Sequence, residues 1–133
     1  MNAAKPKLER ILYVEDEPDI REVARFALEY SGRFAVRICA SGDEALTVVP
    51  QVKPDIILMD VMMPGLDGLA TMDELRRNPK TAHIPVVFMT AKVQAAEVSR
   101  YMQRGAIDVI PKPFDPRSLA DQVQDIWQRH RGG

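Results

Sequence analysis

The sequence predicts a single doubly wound α/β domain built on a five-stranded parallel sheet, and three observations carry that prediction. Five short runs rich in β-branched and aliphatic residues, at 11–14, 34–39, 55–60, 85–90 and 107–110, alternate with longer stretches of helical period. Such alternation argues for βαβ units. The runs at 11–14, 55–60 and 85–90 are almost continuously apolar, as strands covered on both faces must be. A chain of 133 residues can bury one substantial core and is too short for two ordinary domains.

The first run, Ile11-Leu12-Tyr13-Val14, leads straight into Glu15-Asp16. The first helix is expected to open at Pro18, where a missing N–H costs nothing. It should carry Ile20, Val23, Ala24, Ala27 and Leu28 on one face and stop at Gly32. The second run alternates Phe34, Val36 and Ile38 with Ala35, Arg37 and Cys39, the pattern of an edge strand. Ser41-Gly42 opens the second helix. The third run, Ile56-Ile57-Leu58-Met59, ends in Asp60, and Asp67-Gly68 opens the third helix. The fourth run, Val86-Val87-Phe88-Met89, ends in Thr90. The fifth contains Asp108, which makes it the other edge, and passes through Pro111 into Lys112-Pro113-Phe114. After Pro116, Leu119, Val123, Ile126 and Trp127 recur at helical spacing, so Trp127 is expected to be a packing residue. With runs one, three and four central and right-handed crossovers, the flavodoxin-like order 2-1-3-4-5 follows. The expected layout is a flexible arm at 1–8, a domain at 9–130 and a tail at 131–133.

The formal net charge of −1 with interspersed signs gives no basic stripe, so direct nucleic-acid binding is not expected. Cys39 is the sole cysteine and excludes an internal disulfide. Residues 1–10 lack the apolar stretch of a secretory signal, and no run reaches membrane-span length. A soluble cytoplasmic protein is the expectation.

That strand order makes runs one and three neighbours, so Glu15, Asp16 and Asp60 meet beyond the carboxyl ends of the strands, where open sheets of this kind bind ligands. At roughly 5 Å and an effective dielectric of about 20, each pair of carboxylates repels by about 3 kcal/mol. A cation must relieve this, and an all-oxygen cluster without His or Cys suits a hard ion such as Mg²⁺. Thr90 and Lys112 reach the same edge from runs four and five. A hydroxyl and an ammonium facing a metal-bound acid cluster suit a phosphoryl group, with Asp60 as the nucleophile that would form an acyl phosphate.

Read together, residues 11–18, Asp60-Val61-Met62-Met63-Pro64-Gly65-Leu66-Asp67-Gly68, residues 84–91 and Lys112-Pro113-Phe114 resemble the receiver (CheY-like) domain of bacterial two-component response regulators over essentially 10–130. The resemblance implies that Asp60 is the phosphoacceptor and that Asp16 and Asp60 ligate Mg²⁺ together with the Met62 backbone carbonyl. It further implies that Glu15 acts through metal-bound water, that Thr90 and Lys112 contact the phosphoryl oxygens, and that the Lys112–Pro113 bond is cis. The implied donor is a phosphohistidine on a histidine kinase or histidine phosphotransfer protein. The implied output is a population shift read by a downstream protein at the face of the fourth helix, fifth strand and fifth helix, in a monomer or a phosphorylation-dependent dimer. On this reading the chain is a signalling receiver that catalyses only its own phosphorylation and dephosphorylation, with no attached output domain.

Two departures and one alternative bear on this expectation. Three residues before the lysine, where the family usually has Tyr or Phe, stands Val109, so any switch would depend on the 90–93 loop or on another side chain such as Tyr101. Met62 and Lys92 occupy the positions two after Asp60 and Thr90, which in the family help set the phosphoryl lifetime. A phosphatase of the haloacid dehalogenase type would need an Asp-x-Asp pair after the first strand and a cap; Glu15-Asp16-Glu17-Pro18 lacks the spacing.

Overall fold

The computed structural model describes residues 7–131. Ten elements alternate: β1 (Arg10–Val14), α1 (Pro18–Glu29), β2 (Ala35–Cys39), α2 (Gly42–Val52), β3 (Ile56–Asp60), α3 (Gly68–Arg77), β4 (Val86–Thr90), α4 (Ala95–Arg104), β5 (Asp108–Pro111) and α5 (Leu119–Arg131). The strands form one parallel sheet of order β2-β1-β3-β4-β5, the predicted order with the predicted edges.

Because side chains alternate across a strand, the sheet divides its apolar residues between two cores. Ile11, Tyr13, Ile56, Leu58, Val87 and Met89 face α1 and α5, where Ala24, Leu28, Leu119, Val123 and Trp127 cover them. Leu12, Val14, Ile57, Met59, Val86 and Phe88 face α2, α3 and α4, against Val49, Met72, Leu75 and Tyr101. Trp127 is thus a core residue, as its spacing indicated.

Helix starts follow local chemistry. The Ser41 hydroxyl caps α2 by accepting from Glu44 N–H at 3.0 Å, and the Glu44 carboxylate accepts from the N–H of Ala40, one residue before the cap, at 2.7 Å. Asp67 accepts from Ala70 N–H at 2.8 Å. Proline stands at the first turn of α1, and its N-cap position is Glu17.

Three expectations need correction. In α1 the buried stripe is Ala24, Ala27 and Leu28; Val23 is 44% exposed and shares the outer face with Phe26 and Tyr30, whose rings lie 5.5 Å apart. Two small alanines beside Leu28 bring the helix close to the sheet and turn Val23 outward. The helix also ends at Glu29 rather than at Gly32, which occupies the following turn at φ +72°. Leu8, assigned to the arm, is fully buried in the α1/α5 core that also holds Phe34 and Ile56, because an apolar side chain next to a central strand gains by burial. Residues 1–6 and 132–133 of the expected arm and tail lie outside the described residues.

Candidate functional site

The carboxyl ends of β1, β3, β4 and β5 converge. Glu15 follows β1 and is fully buried; Asp60 closes β3 and Thr90 closes β4, both buried. Asp16 is half-buried. One carboxylate oxygen from each of Glu15, Asp16 and Asp60 lies within 4.8 Å of the others, as the strand order required. Oxygen donors alone, at this spacing, are a donor set for a hard divalent cation.

Lys112 follows β5 after the register pair Thr90 and Pro111, its N–H bonded to the Thr90 carbonyl at 2.9 Å. Its bond to Pro113 is cis. Its side chain, 15% exposed, places Nζ 3.0 Å from Glu15 Oε1 and 3.5 Å from Asp60 Oδ1. The lysine foreseen as a phosphoryl contact is, in this state, the counter-ion of two buried acids.

The electrostatics follow from burial and crowding. Asp60 is pushed up from 3.8 to about 7, first by burial and then by the charge of Glu15; Lys112 and the Met62 N–H, which donates to Oδ1 at 3.3 Å, act in the opposite sense. For Lys112 burial alone would lower the pKa, but its hydrogen bond to Glu15 and the charges of Glu15 and Asp60 outweigh it, and the net shift is upward.

The backbone around the acids is held from several sides. Arg21 Nη1 donates to the Glu15 and Asp16 carbonyls at 3.0 and 2.9 Å, fixing the turn that presents both carboxylates. The Tyr13 hydroxyl donates to Glu15 Oε1 at 3.1 Å, and Glu17 N–H donates to Oε2 at 3.3 Å. At the other acid, Gly68 N–H bonds the Val61 carbonyl at 3.0 Å. A Cβ on Gly68 would stand 2.3 Å from the Asp60 carbonyl oxygen and 2.9 Å from Val61 Cα. Glycine at the start of α3 is therefore what lets the helix close onto the residue carrying the buried acid.

Thr90 does not cap α4. Its hydroxyl accepts from Lys92 N–H at 3.0 Å, whereas the N-cap of α4 is Gln94, in a capping box with Glu97. Met62 is 60% exposed and borders, with exposed Lys92, an open groove of about 630 Å³ that also touches Glu97, Arg100 and Tyr101. Val109 lies on β5 opposite Phe88. Tyr101 is buried and meets Phe88 edge to face with centroids 5.5 Å apart.

The residues sequence reasoning missed are Tyr13 and Arg21. For Tyr13 a signal existed: a hydroxyl inside an apolar run, two positions before Glu15, points to the strand face that leads to that acid. For Arg21 no comparable signal existed, because its bonds depend on how the first turn of α1 leaves the sheet.

Comparison with known proteins matches these features. The chain is 38% identical over 120 residues to the phosphate regulon transcriptional regulatory protein PhoB of Escherichia coli, covering 90% of this chain and 52% of the relative. Among solved structures, the chemotaxis protein CheY4 of Vibrio cholerae superimposes with a TM-score of 0.82 at 26% identity, covering 90% of this chain and 98% of that one. The receiver domain of a sensor histidine kinase from Pseudomonas aeruginosa, determined with a magnesium ion in its active site cleft, gives 0.78 at 30% identity, covering 94% and 98%. The chain spans about half the length of the curated relatives it matches. Among the described residues no helix is long and apolar enough to cross a membrane. The family model for the response regulator receiver domain matches residues 11–124, and with this strand order and these strand-end residues the chain belongs to that family.

Proposed function

We propose that this domain accepts a phosphoryl group on Asp60 from a phosphohistidine of a histidine kinase or histidine phosphotransfer protein, with Mg²⁺ at Glu15, Asp16, Asp60 and the Met62 carbonyl. The observation that carries the reading is the approach of Lys112 Nζ to both buried acids, 3.0 and 3.5 Å away, beside the Thr90 strand end. A carboxylate cluster with an ammonium and a hydroxyl at its rim is matched to a group with several anionic oxygens.

The Asp60 carboxylate attacks phosphorus, the phosphorus–nitrogen bond breaks, and its electron pair leaves with the donor imidazole, which takes up a proton. Bound Mg²⁺ supplies positive charge against the acids and the transferring oxygens. Lys112 favours the ionised form of Asp60 and turns toward the new anion, and Thr90 donates its hydroxyl to it. Hydrolysis of the acyl phosphate resets the domain. The output is a shift in the population of conformations at the face of α4, β5 and α5, read by a protein partner in the cytoplasm. With Val109 in place of an aromatic, that shift passes through the 90–93 loop or through another side chain such as Tyr101.

Incubation with acetyl phosphate and Mg²⁺, followed by intact-mass measurement, tests the reading: the chain should gain one phosphoryl mass that Asp60→Asn does not gain. No mass gain in the parent, or an equal gain in the variant, sinks it. A second expectation concerns lifetime. Exposed Met62 offers no strong hydrogen bond to an attacking water, so Met62→Asn should lose its phosphoryl group several-fold faster than the parent. Decay that is faster in the parent contradicts this.

A further inference from the structure

We propose that Tyr13 is a positioning residue for this site: its hydroxyl holds the Glu15 carboxylate in place when Lys112 turns away from it toward an incoming anion. The inference rests on the reading of the site as a Mg²⁺ and phosphoryl centre.

Glu15 Oε1 accepts from two side chains, the Tyr13 hydroxyl at 3.1 Å and Lys112 Nζ at 3.0 Å. The two donors differ in kind. Lys112 is a long, partly exposed chain that also faces Asp60 Oδ1 at 3.5 Å, so any anion built on Asp60 competes for its ammonium. Tyr13 is fully buried on central strand β1, paired on both sides by β2 and β3 and packed in the α1/α5 core. Its hydroxyl stays put. On Oε2 the remaining hold is the Glu17 N–H at 3.3 Å, a backbone donor on the other oxygen that leaves Oε1 to the two side chains. Once Lys112 moves, the phenol is the side-chain donor that keeps Glu15 turned toward Asp16 and Asp60. Outer hydrogen bonds of this kind typically alter metal affinity by about 10–100-fold when removed. The reach depends on glutamate: an aspartate at position 15 is one methylene shorter, about 1.5 Å, and withdraws the carboxylate from the hydroxyl.

The test is a pair of double-mutant cycles read by calorimetric titration with Mg²⁺ alone. Tyr13→Phe keeps the ring and should weaken Mg²⁺ binding about tenfold in the parent. In a Glu15→Asp background the same change should have no effect, because the contact is already gone. In a Lys112→Met background it should have a larger effect than in the parent, because the competing donor is absent. An equal loss in all three backgrounds would mean that Tyr13 acts through packing, and an unchanged affinity in the parent would mean that it does not act; either overturns the proposal. So does a Tyr13→Phe chain that fails to unfold cooperatively in urea, which makes the hydroxyl a folding requirement. Failure of the parent to bind Mg²⁺ refutes the underlying reading of the site. Binding with no change on Tyr13→Phe refutes this inference alone, and neither result depends on phosphorylation.

Discussion

Replacing Asp60 with asparagine is expected to raise the stability of the metal-free protein at pH 8 by about 2 kcal/mol while abolishing phosphoryl gain. The residue that makes the site useful is the one that strains it. Asp60 is buried beside Glu15, and its carboxyl is held up near 7 against an ordinary 3.8. Between those two values the folded chain holds a proton that the unfolded chain releases, so stability falls as pH rises through this window. The contribution is fully present below about 4 and lost above about 7. Lys112, shifted upward from 10.5, stays charged throughout and does not alter the slope. Urea unfolding at pH 5, 6, 7 and 8 in the presence of a chelator should show declining stability for the parent and a flatter profile for Asp60→Asn. Saturating Mg²⁺ should reverse the order at pH 8, since the cation stabilises only the chain that binds it well. If the metal-free parent is as stable at pH 8 as at pH 5, the electrostatic account of the site is wrong.

The second large effect comes from a residue with no side chain. Gly68→Ala should destabilise the domain by about 3 kcal/mol, at the upper end for overpacking. The new methyl would fall 2.3 Å from the Asp60 carbonyl oxygen, with Val61 Cα at 2.9 Å. These are backbone atoms of a central strand end and its continuation, so neither can turn aside as a flexible side chain could. Either α3 lifts at its first turn or the end of β3 moves, and both displace Asp60. Gly68→Ala should therefore lower the phosphorylation rate even at temperatures where the variant remains folded. Thermal unfolding and the acetyl phosphate reaction, followed on the same preparation, check the two parts. A variant with parental stability shows that the junction yields more easily than this geometry allows.

How much was legible beforehand depends on what kind of physics decided each feature. Strand order and the meeting of Glu15, Asp16, Asp60, Thr90 and Lys112 were legible, because apolar runs, edge signals and crossover handedness place strand ends whatever the side chains do. The outward turn of Val23 was not, because the helical stripe was ambiguous between two adjacent phases and small Ala24 and Ala27 resolved it by close approach. Leu8 was hidden by its charged neighbours Lys7 and Glu9. The pairing of Lys112 with Glu15 was also illegible. The sequence placed both at one edge but not which anion the lysine chooses before any phosphoryl group exists, a choice made by side-chain reach. Tyr13 stands between the two: its place on the strand face leading to Glu15 was legible, whereas its hydrogen bond, a matter of tenths of an ångström, was not.

The way α4 is fastened has a consequence for how such domains diversify. Of its ten residues, Tyr101 is the one buried, whereas α5 commits Leu119, Ala120, Val123, Ile126 and Trp127 to the interior. Mutation can rewrite nearly the whole outward surface of α4 without touching the core, so a duplicated copy of this chain can acquire a new partner there while folding as before. The same substitutions spread along α5 would include five packing positions and disturb the core there. The outward surface of α4 can therefore change its chemistry at little cost to the packing beneath it.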